Sequence, residues 1–390
     1  MAFPTWLPWL LGFLTAIGPA SIDMYLPAFP AIERSFAAPE GAAQITLASY
    51  FAGLAVGQMT QGTLSDRFGR RSPIMIGTLI YAAASAGSAL APSIFWLSVF
   101  RAIAAFGAAA SMVIPRAVVR DLATGQAAAV MMSQLTLVLG AAPILAPSLG
   151  GAILIFGNWR WIFWVLAAYA ALCCVLVWAL LPDTLPAERR IRLHPGEQLV
   201  RYGAILRERG FLSHAAMGCA ASFAFFSYLG GSSPVFIRGF HLSPSQYALV
   251  FGLCSMGLIA NSQVNARILP RFGPDAVLRV VGRVHLCATL ALAIVAFSQV
   301  HVFLLVLLPV FVAVSCMVFL NPNVVVGALA RHAHHAGSAS ALMGTGQFLL
   351  GAVGGLLVGA FTDGTPRAMA ALMLAGSVGM VIADRFRPRA

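Results

Sequence analysis

Apolar residues run through this chain in blocks of about 20 or more, the length that carries a helix across a bilayer core. Twelve such blocks can be read, over 6–30, 43–65, 74–92, 94–117, 127–156, 160–181, 213–237, 245–268, 278–299, 301–327, 336–360 and 365–385. They predict twelve transmembrane helices, numbered here as spans 1 to 12. Polar residues gather in short gaps, with one exception. The stretch 182–212 opens Pro182-Asp183-Thr184 and continues with Glu188, Arg189, Arg190, Arg192, Glu197, Arg201, Arg207, Glu208 and Arg209. It divides the chain into a six-span half over 1–181, a connecting loop over 182–212 and a second six-span half over 213–390. The expected fold class is therefore all-α, a polytopic membrane protein built from two six-helix halves. Block 6–30 is too long for the apolar core of a cleavable signal peptide and lacks a basic start.

A short repeat relates the halves. Arg67-Phe68-Gly69 follows span 2, and Arg271-Phe272-Gly273 follows span 8, the equivalent place in the second half. Duplicated halves related by pseudo-symmetry are a known transporter architecture.

Composition narrows the class further. Apolar residues make up 60% of the 390 and charged residues only 9%, against roughly 25% in ordinary soluble domains, so the surface of a soluble protein of this size could not be covered. All 24 basic residues are arginine. The net charge of +12 would suit nucleic acid, but no continuous basic surface with interleaved aromatics appears. The arginines instead alternate between gaps. One set holds Arg67, Arg70, Arg71, Arg116, Arg120, the connecting loop, Arg267, Arg271, Arg279, Arg283, Arg331, Arg385, Arg387 and Arg389; the other holds only Arg34, Arg160, Arg238 and Arg367. By the positive-inside rule the rich side is cytoplasmic, which places both termini and the connecting loop inside. Arg283 falls within an apolar block, close enough to its inner end to snorkel out.

Few residues could carry chemistry. Cys173, Cys174, Cys219, Cys254, Cys287 and Cys316 lie in apolar blocks without metal-type spacing and read as small buried hydrophobes. His332, His334 and His335 share a short gap with no acid or cysteine beside them, so no metal site is expected. His285 could titrate, but packing is the better reading. Asp23 is the one carboxylate well inside a span, and a charge in hydrocarbon normally faces a cavity or a partner. It lies seven residues before Pro30, and Arg101 lies seven residues after Ile94, so both sit about 10 Å from the same membrane edge. An arginine partner favours a charged carboxylate, and removal from water favours a protonated one. Two readings stay open: a proton carrier, or half of a structural ion pair.

The segment Gly62-Thr63-Leu64-Ser65-Asp66-Arg67-Phe68-Gly69-Arg70-Arg71 fits the major facilitator loop pattern G-x-L-x-D-R-x-G-R-R. Ser21-Ile22-Asp23-Met24-Tyr25-Leu26-Pro27-Ala28 resembles the signature of the bicyclomycin-resistance (Bcr/CflA) branch of drug exporters. Arg116-Ala117-Val118-Val119-Arg120-Asp121, Trp159-Arg160-Trp161-Ile162-Phe163-Trp164 and Ala336-Gly337-Ser338-Ala339-Ser340-Ala341 continue the likeness over almost the whole chain. The resemblance implies drug:proton antiport across a bacterial inner membrane, by a monomer in lipid that needs no cofactor or metal. It implies a conformational latch at Gly62, Asp66, Arg67, Gly69, Arg70, Arg71 and Asp121, with Asp66 capping the start of span 11. It implies an antiporter motif at Pro143, Pro147, Gly150 and Gly151, here a variant with Ala142-Pro143 and Ala146-Pro147. Arg101 resembles the span 4 arginine linked to proton coupling, which pairs it with Asp23 as the coupling residues. Pro270 stands where the first half has Asp66, so only one loop can form the full latch. Aromatic and amide residues on central spans are the candidates for a drug cavity: Tyr25, Gln134, Phe223, Phe226, Tyr228, Asn321 and Asn323. An uptake permease for a small nutrient is the alternative. A membrane enzyme has less support, because there is no H-E-x-x-H and no phosphate loop.

Overall fold

Each apolar block forms helix. The computed structural model describes residues 4, 6–123, 125–190, 195–298, 300–330, 332 and 336–387, and no strand occurs among them. We label the crossings α1 (Leu7–Ser35), α2 (Ala42–Phe68), α3 (Arg71–Leu90), α4 (Ile94–Leu122), α5 (Gly125–Phe156), α6 (Arg160–Leu180), α7 (Arg209–Gly239), α8 (244–272), α9 (274–297), α10 (Phe303–Leu329), α11 (Ala336–Phe361) and α12 (Arg367–Arg385). Ten continuous described helices are long and apolar enough to cross a membrane. The run Pro244–Phe297 counts once among them, yet its 54 residues are more than twice a crossing. α2 falls short in apolarity because it carries Gln44, Gln58 and Gln61 and ends in Asp66-Arg67. Large apolar side chains such as Leu79, Ile155, Trp178, Leu249 and Ile294 stand exposed around the outside, the surface a lipid environment requires.

The loop expected between spans 8 and 9 is a corner. Helix continues through Pro270 and Pro274, and only Gly273 leaves helical geometry, at φ 73° and ψ 162°. Gly69, its counterpart in the Arg-Phe-Gly repeat, turns α2 into α3 at φ 91° and ψ 176°. A Cβ strains both conformations, so the repeated glycine is one turn used twice. The connecting segment is likewise not all loop. It contains a helix, Pro195–Leu206, whose Gln198 Nε2 donates to Thr63 Oγ1 at 3.1 Å.

α1 is broken, and this positions the site. Helix is interrupted after Thr15 and again at Met24 and Tyr25, then resumes as Phe29–Ser35. Pro19, Pro27 and Pro30 each remove a backbone donor. Pro30 was expected to end the span; it instead opens the last helical segment, where a missing N–H costs nothing. The extension carries Glu33 into the protein. Crossings α1–α6 meet crossings α7–α12 mainly as α2 with α11 and α5 with α8, and the Leu26–Ala28 turn of α1 touches α7 and α8. With twelve crossings, the start of α1 at Leu7 and the end of α12 at Arg385 lie on one face, here the terminal face; the opposite side is the far face.

Candidate functional site

Arg101 and Asp23 are both buried, at 1% and 6% exposure, but they are not paired. No ion pair joins them among the described residues, which corrects the expected partnership. Ser21 is the reason. The break after Asp23 leaves the Ser21 carbonyl among the last of a helix, without a helical donor. Arg101 fills it: Nη2 donates to Ser21 O at 2.9 Å and Nη1 to Ser21 Oγ at 3.0 Å. The guanidinium lies 4.2 Å from the ring centre of Tyr25 and 4.1 Å from that of Tyr50, where the π-faces stabilise its charge. Its Nε is buried without a partner. Asp23 closes the same helical segment two residues on and is buried there. The Tyr247 hydroxyl is tied to Ser232 Oγ at 2.7 Å.

Aromatic rings from opposite sides of the molecule meet beside this pair. Phe51 of α2 lies 4.1 Å from Phe226 of α7 and 6.3 Å from Phe348 of α11. Tyr228 stacks on Phe251 at 6.0 Å. Tyr25 rests on Phe29 and Phe163 and contacts Thr46 Oγ1 at 3.3 Å. Phe226 and Tyr228 thus share one cluster through Phe225, and Tyr25 connects to it through Arg101, Tyr50 and Phe51. Phe223 is half-buried one turn away, where its carbonyl accepts from Ser227. Gln134 is half-buried on α5 and Asn321 is exposed on α10, and neither joins the cluster. Asn323 is committed to packing, donating to Asn265 Oδ1 at 3.3 Å and Phe319 O at 2.8 Å.

The α5 motif touches two neighbours. A Cβ on Gly150 would sit 1.8 Å from Met24 O in the broken part of α1, and one on Gly151 would sit 3.3 Å from Pro244 O at the start of α8. Pro147 has no N–H for the carbonyl four residues back, so Pro143 O is free of the helix ladder. Ser255 Oγ of α8 donates to it at 3.3 Å.

At the terminal face, Arg70 gathers the loop acids. Nη1 meets Asp66 at 2.5 Å, and Nε meets Asp121 at 2.7 Å. Burial works against this cation, but hydrogen bonds and charge from Asp121 and Asp66 outweigh it and hold the guanidinium above its ordinary pKa. Gly69 is required twice over, since a Cβ there would also lie 2.0 Å from Asp183 Oδ2. Arg71 donates to Trp178 O, and Arg67 lies over its neighbour Phe68. Gly62 has no such need, because its Cβ would meet only Val113 at 3.9 Å. The side chain of Asp66 is 49% exposed, and no described contact takes it to α11.

The far face, by contrast, is tied shut. Arg238 of α7 bonds Glu33, and its Nη1 reaches Glu40 at 3.1 Å. Glu33 Oε1 also accepts from the Gly41 and Ala43 N–H groups at 3.0 and 3.1 Å, capping α2. Gln44 Nε2 donates to Gly230 O at 3.1 Å. Gly41, at φ 87°, presses on Gly359 so closely that a Cβ would lie 1.9 Å from its carbonyl. Sequence reading gave Arg238 only a side of the membrane, and it missed the partner Glu33 because the apolar block was ended at Pro30. It missed Ser21, Tyr50, Phe51, Tyr247 and Phe348 because small hydroxyls and single aromatics on apolar helices carry no distinguishing pattern.

The histidine and cysteine readings also need adjusting. His332 does have an acid partner, Glu208, at 3.5 Å; His334 and His335 lie outside the described residues. His285 is packed against Ser377 at 2.8 Å. Cys173, Cys254 and Cys316 are buried as expected, but Cys174 and Cys219 are partly exposed and Cys287 is exposed. No metal-binding group of side chains occurs among the described residues.

Comparison with known proteins agrees with this arrangement. The family model described as Major Facilitator Superfamily matches residues 11–355. The MFS-type transporter YdgK of Bacillus subtilis (strain 168) is 33% identical over 95% of this chain and 92% of its own. A bicyclomycin resistance protein homolog of Haemophilus influenzae is 30% identical over 96% and 94%. Among solved structures, the D-xylose-proton symporter superposes with a TM-score of 0.75 at 16% identity, covering 97% of this chain and 95% of that one, which is a likeness of fold. With an all-helical membrane fold and these relatives, the chain belongs to the Major Facilitator Superfamily and is a transporter rather than an enzyme.

Proposed function

We propose that this transporter exports lipophilic drugs in exchange for protons across a bacterial inner membrane, working as a monomer with both termini and residues 182–212 in the cytoplasm. Residues 1–181 and 213–390 are its two moving halves. One observation carries the reading: the broken part of α1 holds Arg101 through Ser21, buries Asp23 two residues on, and through its Leu26–Ala28 turn touches α7 and α8 of the other half. A shift of this segment moves both. Without its proton, Asp23 is attracted to Arg101, an attraction that low dielectric strengthens. With its proton, it loses that attraction. Proton occupancy therefore biases which half α1 leans on.

The aromatic walls of Tyr25, Phe51, Phe226, Tyr228 and Phe348 suit apolar ligands fixed by few polar groups; Phe223, Gln134 and Asn321 are the outer candidates. In this reading the far-face ties correspond to an inward-facing state, with the exposed Asp66 away from α11. The name of the Haemophilus relative points to bicyclomycin as the first probe. In energised inverted vesicles bicyclomycin should accumulate and collapse part of the pH gradient; a nutrient uptake permease would show neither.

Topology follows from the arginine asymmetry. A Glu188→Cys protein in intact cells should resist a membrane-impermeant thiol reagent, and rapid labelling from outside would reverse the orientation. The latch is tested by Asp66→Asn. A hydrogen bond to a charged group contributes about 1.5–3 kcal/mol, so losing one that exists only in the outward state should slow transport roughly tenfold or more. The amount of protein in the membrane should not change. An unaltered rate would make Asp66 an ordinary loop charge.

A further inference from the structure

A cavity of about 410 Å³ opens at the terminal face between α9 and α12, away from the broken helix and its aromatic cluster. Four arginines and two aspartates line it: Arg279, Arg283, Arg385, Arg387, Asp275 and Asp384. Four positive and two negative charges leave a surplus of two. Arg387 is buried and bonds both aspartates, Asp275 at 2.6 Å and Asp384 at 2.7 Å, a trio left with one negative charge. The surplus therefore sits on Arg279, Arg283 and Arg385, whose side chains are exposed.

Arg283 also borders a second space, an apolar groove of about 610 Å³ between α9 and α10. Val280, Val284 and Cys287 on α9 and Leu308 and Val312 on α10 line it. The α9 positions recur at helical spacing and, with Ala291, form a stripe about 16 Å long pointing from the arginines toward the bilayer interior. One arginine thus joins a basic pocket at the membrane edge to an apolar channel running inward.

We infer that this composite is a binding site for an anionic phospholipid, with the phosphate headgroup among Arg279, Arg283 and Arg385 and one acyl chain along the α9–α10 groove. The charge surplus selects against zwitterionic lipids, and basic pockets between helices at the cytoplasmic edge suit acidic headgroups. The groove selects against a free phosphate, which gains nothing from it. The position of Arg283 inside an apolar block is then explained: it reaches back to the headgroup.

The test uses the full chain in detergent, with bound lipid counted by native mass spectrometry. Phosphatidylglycerol and phosphatidylcholine with identical acyl chains are added separately. Phosphatidylglycerol should be retained on the wild-type protein roughly tenfold more than phosphatidylcholine, and excess inorganic phosphate should not displace it. Arg283→Gln with Arg385→Gln should abolish that preference. Arg283→Lys, which keeps the charge, should retain it, as should Arg201→Gln, which removes the same charge from the connecting helix. The site is refuted if both lipids are retained equally, if inorganic phosphate displaces the lipid, if the double variant keeps the preference, or if Arg201→Gln loses it as fully.

Discussion

Gly150→Ala will destabilise the protein and stop transport, whereas Gly252→Ala, the same one-carbon addition on a neighbouring helix, will do neither. The contrast is geometric. At Gly150 the added carbon would fall 1.8 Å from Met24 O, a backbone atom that cannot rotate aside, while at Gly252 nothing lies within 4 Å. α5 must therefore back away from the broken segment of α1. Overpacking of this kind costs about 1–3 kcal/mol. It would also displace the Pro143 carbonyl from Ser255, loosening α5 from α8. Gly252→Ala should stabilise slightly, since a glycine inside a helix costs roughly 0.5–1 kcal/mol relative to alanine. Thermal unfolding of the two purified variants beside the wild type checks this, and equal melting of the two would mean that α5 does not pack tightly on α1.

Much of the architecture could be read from the sequence because a bilayer imposes a length and an apolarity on every crossing. All twelve blocks became helices, and the Arg-Phe-Gly repeat marked two turns with closely similar geometry at Gly69 and Gly273. Errors came where local chemistry overrides hydropathy. Pro30 reads as an end but starts a new helical segment, so Glu33 and the far-face ties escaped notice. Pro270 and Pro274 read as loop but stand in helix on either side of a single turned glycine. Among the site residues, Asp23 and Arg101 were conspicuous because charges in apolar blocks are rare. Equal depth along two helices does not fix direction around a helix axis. The broken turn gives Arg101 the carbonyl and hydroxyl of Ser21 instead of a carboxylate. Asn323 was a fair candidate by type, but its bond to Asn265 makes it packing.

The separation of Asp23 from Arg101 sharpens the largest functional expectation. Removing one member of a buried ion pair typically costs about 3–5 kcal/mol, which would confuse loss of function with loss of folding. Here Arg101 keeps Ser21, Tyr25 and Tyr50 when Asp23 changes. Asp23→Asn should therefore fold and melt like the wild type. It should still bind drug and let it equilibrate, but it should not concentrate drug against a gradient, because asparagine carries no exchangeable proton load. The most direct measurement follows protons as well as drug. Bicyclomycin is added to purified protein in weakly buffered detergent solution, and drug bound and protons released are recorded together. If Asp23 carries the coupling proton, the wild type releases protons as drug binds and Asp23→Asn binds drug while releasing none. Equal proton release from the two proteins, at equal drug occupancy, would contradict the assignment.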